Sequence, residues 1–235
     1  MVASWEALGT AQPAKFCKML NRVKSVVDDV GLLFVLRNPL TWAPSLYLQN
    51  VQGNYVRNNR RRFASTPYLS LGSWMESHAT RSGDLCTWLC HSTNIQTAVS
   101  LLGRENVGVF LYEELSNQPN TYFTSLARFL GIDAQESLRL VLGSHFNPRL
   151  LQAELEFIEQ VGNSLPGKIR WRFSQPAQRR RAMKAYLAKQ GHPTQPARIL
   201  LTEEWQERVS EATRAGNQWL ASELGLDLAA HGYPI

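Results

Sequence analysis

The chain has 235 residues, of which 44% are hydrophobic, so it is long enough to bury a substantial core. It carries 25 basic and 19 acidic residues, and this net charge of +6 favours an anionic ligand or substrate without choosing one. Three cysteines are too few for a disulfide framework, and no apolar run approaches the roughly 20 residues of a membrane span. The N-terminus lacks the features of a secretory signal, so the default expectation is a cytoplasmic protein with no membrane segment.

The first predicted elements are a helix and a strand. The helix is indicated by apolar residues that recur at helical spacing, namely Phe16, Leu20, Val23 and Val27. Residues 31–36 then form an uninterrupted apolar run, which is typical of a strand buried on both faces of a sheet. Because Pro39 ends this strand, we expect Arg37 to lie at its carboxyl end, where open α/β sheets bind ligands.

A hydroxyl group follows the strand. Ser45 stands eight positions after Arg37 and is predicted to lie in the first turn of a helix over about 44–51. A guanidinium and a hydroxyl in these positions can hold a phosphate through charge-assisted hydrogen bonds. Two structural alternatives stay open: Arg37 can pair with a carboxylate, and Ser45 can satisfy an N–H of the first helical turn.

The middle of the chain alternates loops, helices and a second strand. Residues 52–66 hold a glycine, asparagine pairs and the arginines of Arg57–Arg62, and this composition predicts a surface loop. We predict a helix over 83–102, a strand over 107–112 and a helix after Pro119, with a glycine directly after each helix. Two strands separated by helices predict a parallel sheet with right-handed crossovers.

The second half of the chain is predicted to be rich in helices. They cover about 150–161, 176–190 and 202–224, and a basic loop lies at Gly167–Arg172. A single domain over 1–235 is the most economical interpretation.

Histidines and cysteines in the middle of the chain raise two chemical possibilities. His78 and His91 are candidates to accept a proton from a substrate, although a lone histidine is weak support for that role. Cys86, Cys90 and His91 could suggest zinc, but no second cluster completes four ligands. We therefore expect core thiols and no metal.

Three segments carry a resemblance to a known family. They are the strand with its Arg-Asn-Pro ending and following serine, the segment Val107–Leu115 with the helix after it, and a C-terminus that ends in Gly232-Tyr233-Pro234. In this order and spacing they resemble the sulfotransferases that use 3′-phosphoadenosine 5′-phosphosulfate (PAPS). The resemblance implies an α/β fold, a P-loop-like three-layer sulfotransferase domain with a parallel sheet and a helix-rich C-terminal half.

The resemblance also implies binding residues. Arg37 and Ser45 would bind the 3′-phosphate of PAPS, while Lys168 and Arg170 in the basic loop would lie over the adenine and the 3′-phosphate. Trp171 would be the natural stacking partner for the base, against the alternative that it packs in the core.

The chain departs from the family in one respect. No phosphate loop of the family's type occurs, so the chain resembles an N-terminally truncated domain that lacks the first βα unit. The general base that often follows that loop would be missing too, so the catalytic residues are unknown. The family's acidic residue after the second strand ties the strand end to backbone N–H groups, which implies a structural role for Glu113 and Glu114.

The implied reaction is transfer of a sulfuryl group from PAPS to a hydroxyl or amine acceptor, carbohydrates included, without a metal and without a nucleic-acid partner. A catalytically dead remnant stays open, as does a polyanion-binding module that uses the arginines of Arg57–Arg62 and Arg179–Arg181. A nucleotide kinase is disfavoured, because the chain shows neither a phosphate loop nor acidic magnesium ligands.

Overall fold

The structure, a computed structural model, describes residues 11–56, 68–82, 88–89, 91–141, 149–190 and 194–235. The chain forms two compact units. The first unit comprises residues 1–41, 78–144 and 203–235, and the second comprises residues 42–77 and 145–202. The expectation of one domain over the whole chain stays a prediction.

The described residues are mainly helical. In chain order the elements are α1 (Pro13–Lys24), β1 (Leu32–Leu36), α2 (Pro39–Val51), α3 (Leu71–Ser82), α4 (Ser92–Leu102), β2 (Val107–Leu111), α5 (Tyr112–Asn117), α6 (Pro119–Leu130), α7 (Ala134–Val141), α8 (Gln152–Asn163), α9 (Leu165–Phe173), α10 (Pro176–Leu187) and α11 (Glu203–Leu224). A π-helical turn, Gln52–Val56, follows α2.

The two predicted strands pair in parallel, as expected. The register runs from Leu32 opposite Val107 to Leu36 opposite Leu111. Both strands therefore end at the same edge, so the residues that follow them come close together. The three-layer arrangement of the expected fold stays a prediction.

One face of β1 is exposed, which corrects the prediction of a strand buried on both faces. Phe34 and Leu36 are buried, whereas the side chains of Leu33 and Val35 are 39% and 48% exposed. Successive side chains of a strand point to opposite faces, and only the Phe34 face packs on the core, with its ring centroid 6.2 Å from that of Phe16. The sequence cannot show which face of β1 is buried, because both faces carry apolar residues.

The core of the first unit joins the strands to helices from both ends of the chain. The predicted first helix forms as α1 and buries Phe16 and Leu20, while Val27 lies beyond its end and is exposed. Gly103 and Gly131 cap α4 and α6 with positive φ angles of 86° and 66°, which confirms the predicted helix ends. The buried cluster comprises Phe16, Leu20, Phe34, Leu36, Ile95, Ala98, Val107, Leu111, Leu220, Leu228 and Tyr233.

The predicted basic loop at Gly167–Arg172 is wrong, because these residues belong to helix α9 of the second unit. The Ser164 hydroxyl caps this helix by accepting a hydrogen bond of 3.0 Å from the Gly167 N–H. Pro166 and Gly167 fall in the first turn of α9, where a helix tolerates both residues. The Pro166-Gly167 pair therefore marks the start of a helix in this structure.

Candidate functional site

Five residues meet at the carboxyl edge of the two strands and form the strand-end cluster. Arg37 and Asn38 follow β1, Tyr112 and Glu113 follow β2, and Tyr233 comes from the C-terminus of the chain. All five belong to the first unit. The parallel pairing of β1 with β2 brings the first four together.

Asn38 is the structural centre of the cluster. Its backbone N–H donates to Oε1 of Glu113 (2.9 Å), and its side-chain nitrogen donates to the carbonyl of His231 (3.1 Å). Its side-chain oxygen accepts the N–H of Leu40 (3.0 Å), which caps the start of α2. Asn38 is only 5% exposed, so these bonds satisfy groups that water does not reach.

Glu113 ties the end of β1 to the C-terminal segment. One carboxylate oxygen accepts the Asn38 N–H, and the other accepts the hydroxyl of Tyr233 (3.0 Å). The structural role that we predicted for Glu113 is confirmed. Burial first, and then the Glu113 carboxylate, raises the pKa of Tyr233 above its usual range, so this hydroxyl keeps its proton and remains a donor.

Arg37 lies where the sequence predicted it, directly after β1. Its guanidinium carbon is 4.7 Å from the centre of the Tyr112 ring, a cation–π contact between the residues that follow the two strands. The side chain is half-buried, and its charge acts on the hydroxyl of Tyr233, where it opposes the rise in pKa. The cluster thus contains a cation held at the edge where parallel sheets bind ligands.

Ser45 does not lie in the first turn of a helix, which corrects the prediction. Helix α2 begins at Pro39, so Ser45 is its seventh residue and lies in the second turn. The physical reason is that Asn38 caps a helix that begins at Pro39, five residues before the expected start, and Pro44 is accommodated inside that helix. Ser45 is half-buried and belongs to the second unit, whereas Arg37 belongs to the first.

The other expected binding residues lie on α9 of the second unit. Arg170 is exposed, and Lys168 occupies a position on the same helix. Trp171 is buried, with its ring centroid 5.9 Å from that of Phe157 and 6.1 Å from that of Tyr55. The structure therefore favours the packing alternative for Trp171 over stacking on a base.

The remaining sequence candidates are residues outside the described ranges and two histidines. Arg57–Arg62, Cys86 and Cys90 lie outside the described residues. The ring of His78 packs against Trp88 with centroids 4.9 Å apart, and His91 directly precedes α4. Among the residues that the structure describes, no three potential metal ligands come together. None of the described helices combines the length and the apolar composition that a bilayer-spanning segment needs.

The second unit contains a polar chain that sequence reasoning missed, formed by Tyr47, Tyr68 and Glu159. The hydroxyl of Tyr68 donates to Oε1 of Glu159 (2.9 Å) and lies 3.0 Å from that of Tyr47. The Tyr47 hydroxyl also lies 2.9 Å from the carbonyl of Leu69, so its single proton serves one of two acceptors at a time. No local sequence pattern predicts these hydrogen bonds, since the bonded residues stand 21 and 91 positions apart.

Two tyrosines, one buried and one half-buried, should make the fold sensitive to alkali. Burial raises the pKa of Tyr122 to about 12 with help from Glu114, and raises the pKa of Tyr55 to about 12 with help from Tyr47. In the unfolded chain a tyrosine titrates near its ordinary pKa of 10.0. The folded state therefore binds more protons above that value, so the stability contributed by each group is complete below about pH 10 and is lost as the pH rises towards about 12.

We expect the free energy of unfolding to be lower at about pH 11 than at about pH 8, by about 1 kcal/mol for each of these tyrosines. Urea titration at the two pH values measures the difference. Tyr122→Phe keeps the ring that contacts Phe110 and removes the titrating hydroxyl, so its loss should be smaller. An equal loss of unfolding free energy in the wild type and in Tyr122→Phe would contradict the raised pKa of Tyr122.

Comparison with known proteins gives a structural likeness. No known family model matches the chain, and no curated protein matches it. A crystal structure of a sulfotransferase from Alicyclobacillus acidocaldarius is similar over 70% of this chain, with 19% sequence identity and a TM-score of 0.40. The match covers 63% of the length of that protein.

Proposed function

We propose that this chain binds PAPS and contributes to sulfuryl transfer, with Arg37 as the ligand of the 3′-phosphate and Ser45 as a second donor. The proposal is supported by the strand-end cluster, in which the Arg37 guanidinium lies at the carboxyl edge of two parallel strands. It is supported equally by the Arg-Asn-Pro motif and its following serine in the sequence.

The chemistry of the cluster fits a phosphate. The planar guanidinium of Arg37 presents its N–H groups along its edge, where two phosphate oxygens can accept them. The guanidinium carbon of Arg37 lies 4.7 Å from the centre of the Tyr112 ring, so this cation–π contact helps to hold the side chain at the edge of the sheet. The hydrogen bonds of Asn38 hold the residue that directly follows Arg37.

The proposed reaction has PAPS as the sulfuryl donor. The acceptor, a hydroxyl or an amine and carbohydrates included, loses its proton and forms a bond to sulfur, while the bond from sulfur to the 5′-phosphate oxygen breaks and adenosine 3′,5′-bisphosphate leaves. The residues of this chain contribute binding and orientation of the nucleotide. Lys168 and Arg170 are proposed as further contacts to it from α9.

Adenosine 3′,5′-bisphosphate tests the proposal directly, because it is the part of PAPS that Arg37 would hold. We expect Arg37→Ala to lower its affinity about 10- to 100-fold in calorimetric titration, the loss of a charge-assisted hydrogen-bond pair. Ser45→Ala removes a neutral donor and should lower the affinity less. Arg104→Ala is the matched control, since Arg104 donates to the carbonyl of Val107 (2.8 Å) at the opposite end of the same sheet.

Equal affinities of the Arg37 and Arg104 variants would refute the role of Arg37. The alternative function, a remnant or a module that binds polyanions through its basic surface, predicts a different result. The affinity for polyanions would then be unchanged by added adenosine 3′,5′-bisphosphate and would fall steeply as the salt concentration rises.

A further inference from the structure

The excess positive charge of the protein is concentrated in one part of the second unit. Residues 160–202 contain nine basic side chains and no acidic one. The rest of the chain has 16 basic and 19 acidic residues, a net charge of −3. Arg180, Arg181 and Lys184 are exposed on α10, so these three charges face solvent. The surface suits an anionic partner.

A stripe of large apolar side chains runs along α9 among these charges. Leu165, Ile169 and Phe173 are 71%, 53% and 79% exposed. They stand four residues apart, so they form one line along the helix. Trp171 is two residues from Ile169 and from Phe173, which puts it on the opposite side of α9, where it is buried.

The orientation of α9 is held by its buried side. Trp171 packs on Phe157 of α8, and the guanidinium of Arg179 on α10 lies 5.3 Å from the Trp171 ring. These contacts fix which side of the helix faces outwards. The exposed stripe is therefore a property of the packed unit and not of a loosely attached helix.

We propose that α9 is a membrane-surface helix, which inserts the stripe of Leu165, Ile169 and Phe173 into the interface of an anionic bilayer while the exposed basic side chains of α10 contact lipid phosphates. A polyanion such as a nucleic acid or an acidic glycan would match the charge but would leave three large apolar side chains in water. An anionic bilayer matches both features, since it offers negative headgroups and an apolar layer beneath them. The inference is independent of the proposed sulfuryl transfer and needs no nucleotide.

Sedimentation with lipid vesicles tests the inference on the full chain. We expect the wild-type protein to bind vesicles of phosphatidylcholine with ~30% phosphatidylserine and to bind pure phosphatidylcholine much less. Leu165→Gln with Ile169→Gln and Phe173→Gln should lower the partition coefficient by about 100- to 1,000-fold, because each inserted side chain contributes about five- to tenfold.

Two further variants separate charge from insertion. Arg180→Glu with Arg181→Glu should lower binding to the anionic vesicles and make the remaining binding less sensitive to salt. Phe173→Gln alone changes the most exposed member of the stripe and should lower the partition coefficient by about tenfold. Because one exposed substitution leaves the packing of Trp171 untouched, this variant keeps the test valid if the triple variant unfolds.

The controls change the same residue types on the first unit. Ile132→Gln with Leu140→Gln removes apolar side chains that are 53% and 62% exposed, and it should leave vesicle binding unchanged. Lys18→Glu with Arg22→Glu reverses exposed charges on α1 and should have a much smaller effect than the changes on α10.

Three outcomes would overturn the inference. One is a wild-type protein that does not sediment with anionic vesicles. Another is a folded triple variant that sediments as well as the wild type, since binding would then be that of a polyanion-binding surface. The last is a wild-type dimer in gel filtration that becomes monomeric in the triple variant without any vesicle binding, which would make the stripe an interface between two copies.

Discussion

Glu113→Ala should destabilise the first unit by about 3 kcal/mol, because it removes the shared acceptor of two buried donors. The backbone N–H of Asn38 and the hydroxyl of Tyr233 each donate to this carboxylate, and the two residues are 5% and 6% exposed. Alanine leaves both donors buried without this acceptor, and a buried unsatisfied donor costs about 1 to 3 kcal/mol. Urea titration followed by circular dichroism measures the loss.

Two further variants show whether burial is the cause. Tyr233→Phe removes one donor and leaves the carboxylate in place, so it should cost about 1 kcal/mol. Glu136→Ala is the matched control, since Glu136 also accepts two hydrogen bonds, from Nε and Nη2 of Arg139, but lies in an exposed pair. Its removal should change the stability little. A loss at Glu113 no larger than that at Glu136 would contradict the structural role of the cluster.

Gly162→Ala should destabilise the second unit by about 2 kcal/mol, although alanine is the better helix former. A Cβ atom at position 162 would lie against Cβ of Tyr68, 2.5 Å from its Cγ and 2.7 Å from its Cδ1. The Tyr68 ring would have to move away from α8 and would lose its hydrogen bond to Glu159, which is on the same helix. Overpacking of about 1 to 3 kcal/mol, together with the lost hydrogen bond, exceeds the gain of about 1 kcal/mol in helix propensity.

Gly53→Ala is the control for this prediction. A Cβ atom at Gly53 would have nothing within 4 Å, and its φ angle is not in the left-handed region. We expect the free energy of unfolding of Gly53→Ala to be unchanged or slightly higher, since alanine reduces the freedom of the unfolded chain. If Gly162→Ala proved as stable as this control, the close packing of Tyr68 on α8 would be wrong.

Much of the local structure could be predicted from the sequence. The apolar run before Arg37 and the run before Tyr112 identified both strands, and their pairing is parallel as expected. Gly103 and Gly131 marked the ends of two helices, because glycine readily adopts the positive φ angle that these positions have. These are local signals, which depend on a few consecutive residues.

The candidate site was predictable only in part. The position of Arg37 at the strand end followed from the proline two residues later. Glu113 was expected to have a structural role, but its partner Tyr233 stands 120 residues further along the chain. The polar chain of Tyr47, Tyr68 and Glu159 joins residues as far as 91 positions apart. Such contacts depend on how elements pack, and a single sequence carries no local mark of them.

The sequence by itself determined where the chain forms its strands, which cation follows the first of them and where positive charge accumulates, because backbone propensity and composition act locally. Only the tertiary structure decided that β1 buries one face, that the Pro-Gly segment starts helix α9, and that α9 turns Trp171 inwards and Phe173 outwards. The physical reason is that a side chain is buried by residues from elements that are distant in the sequence. An apolar residue becomes core or surface according to what packs against it.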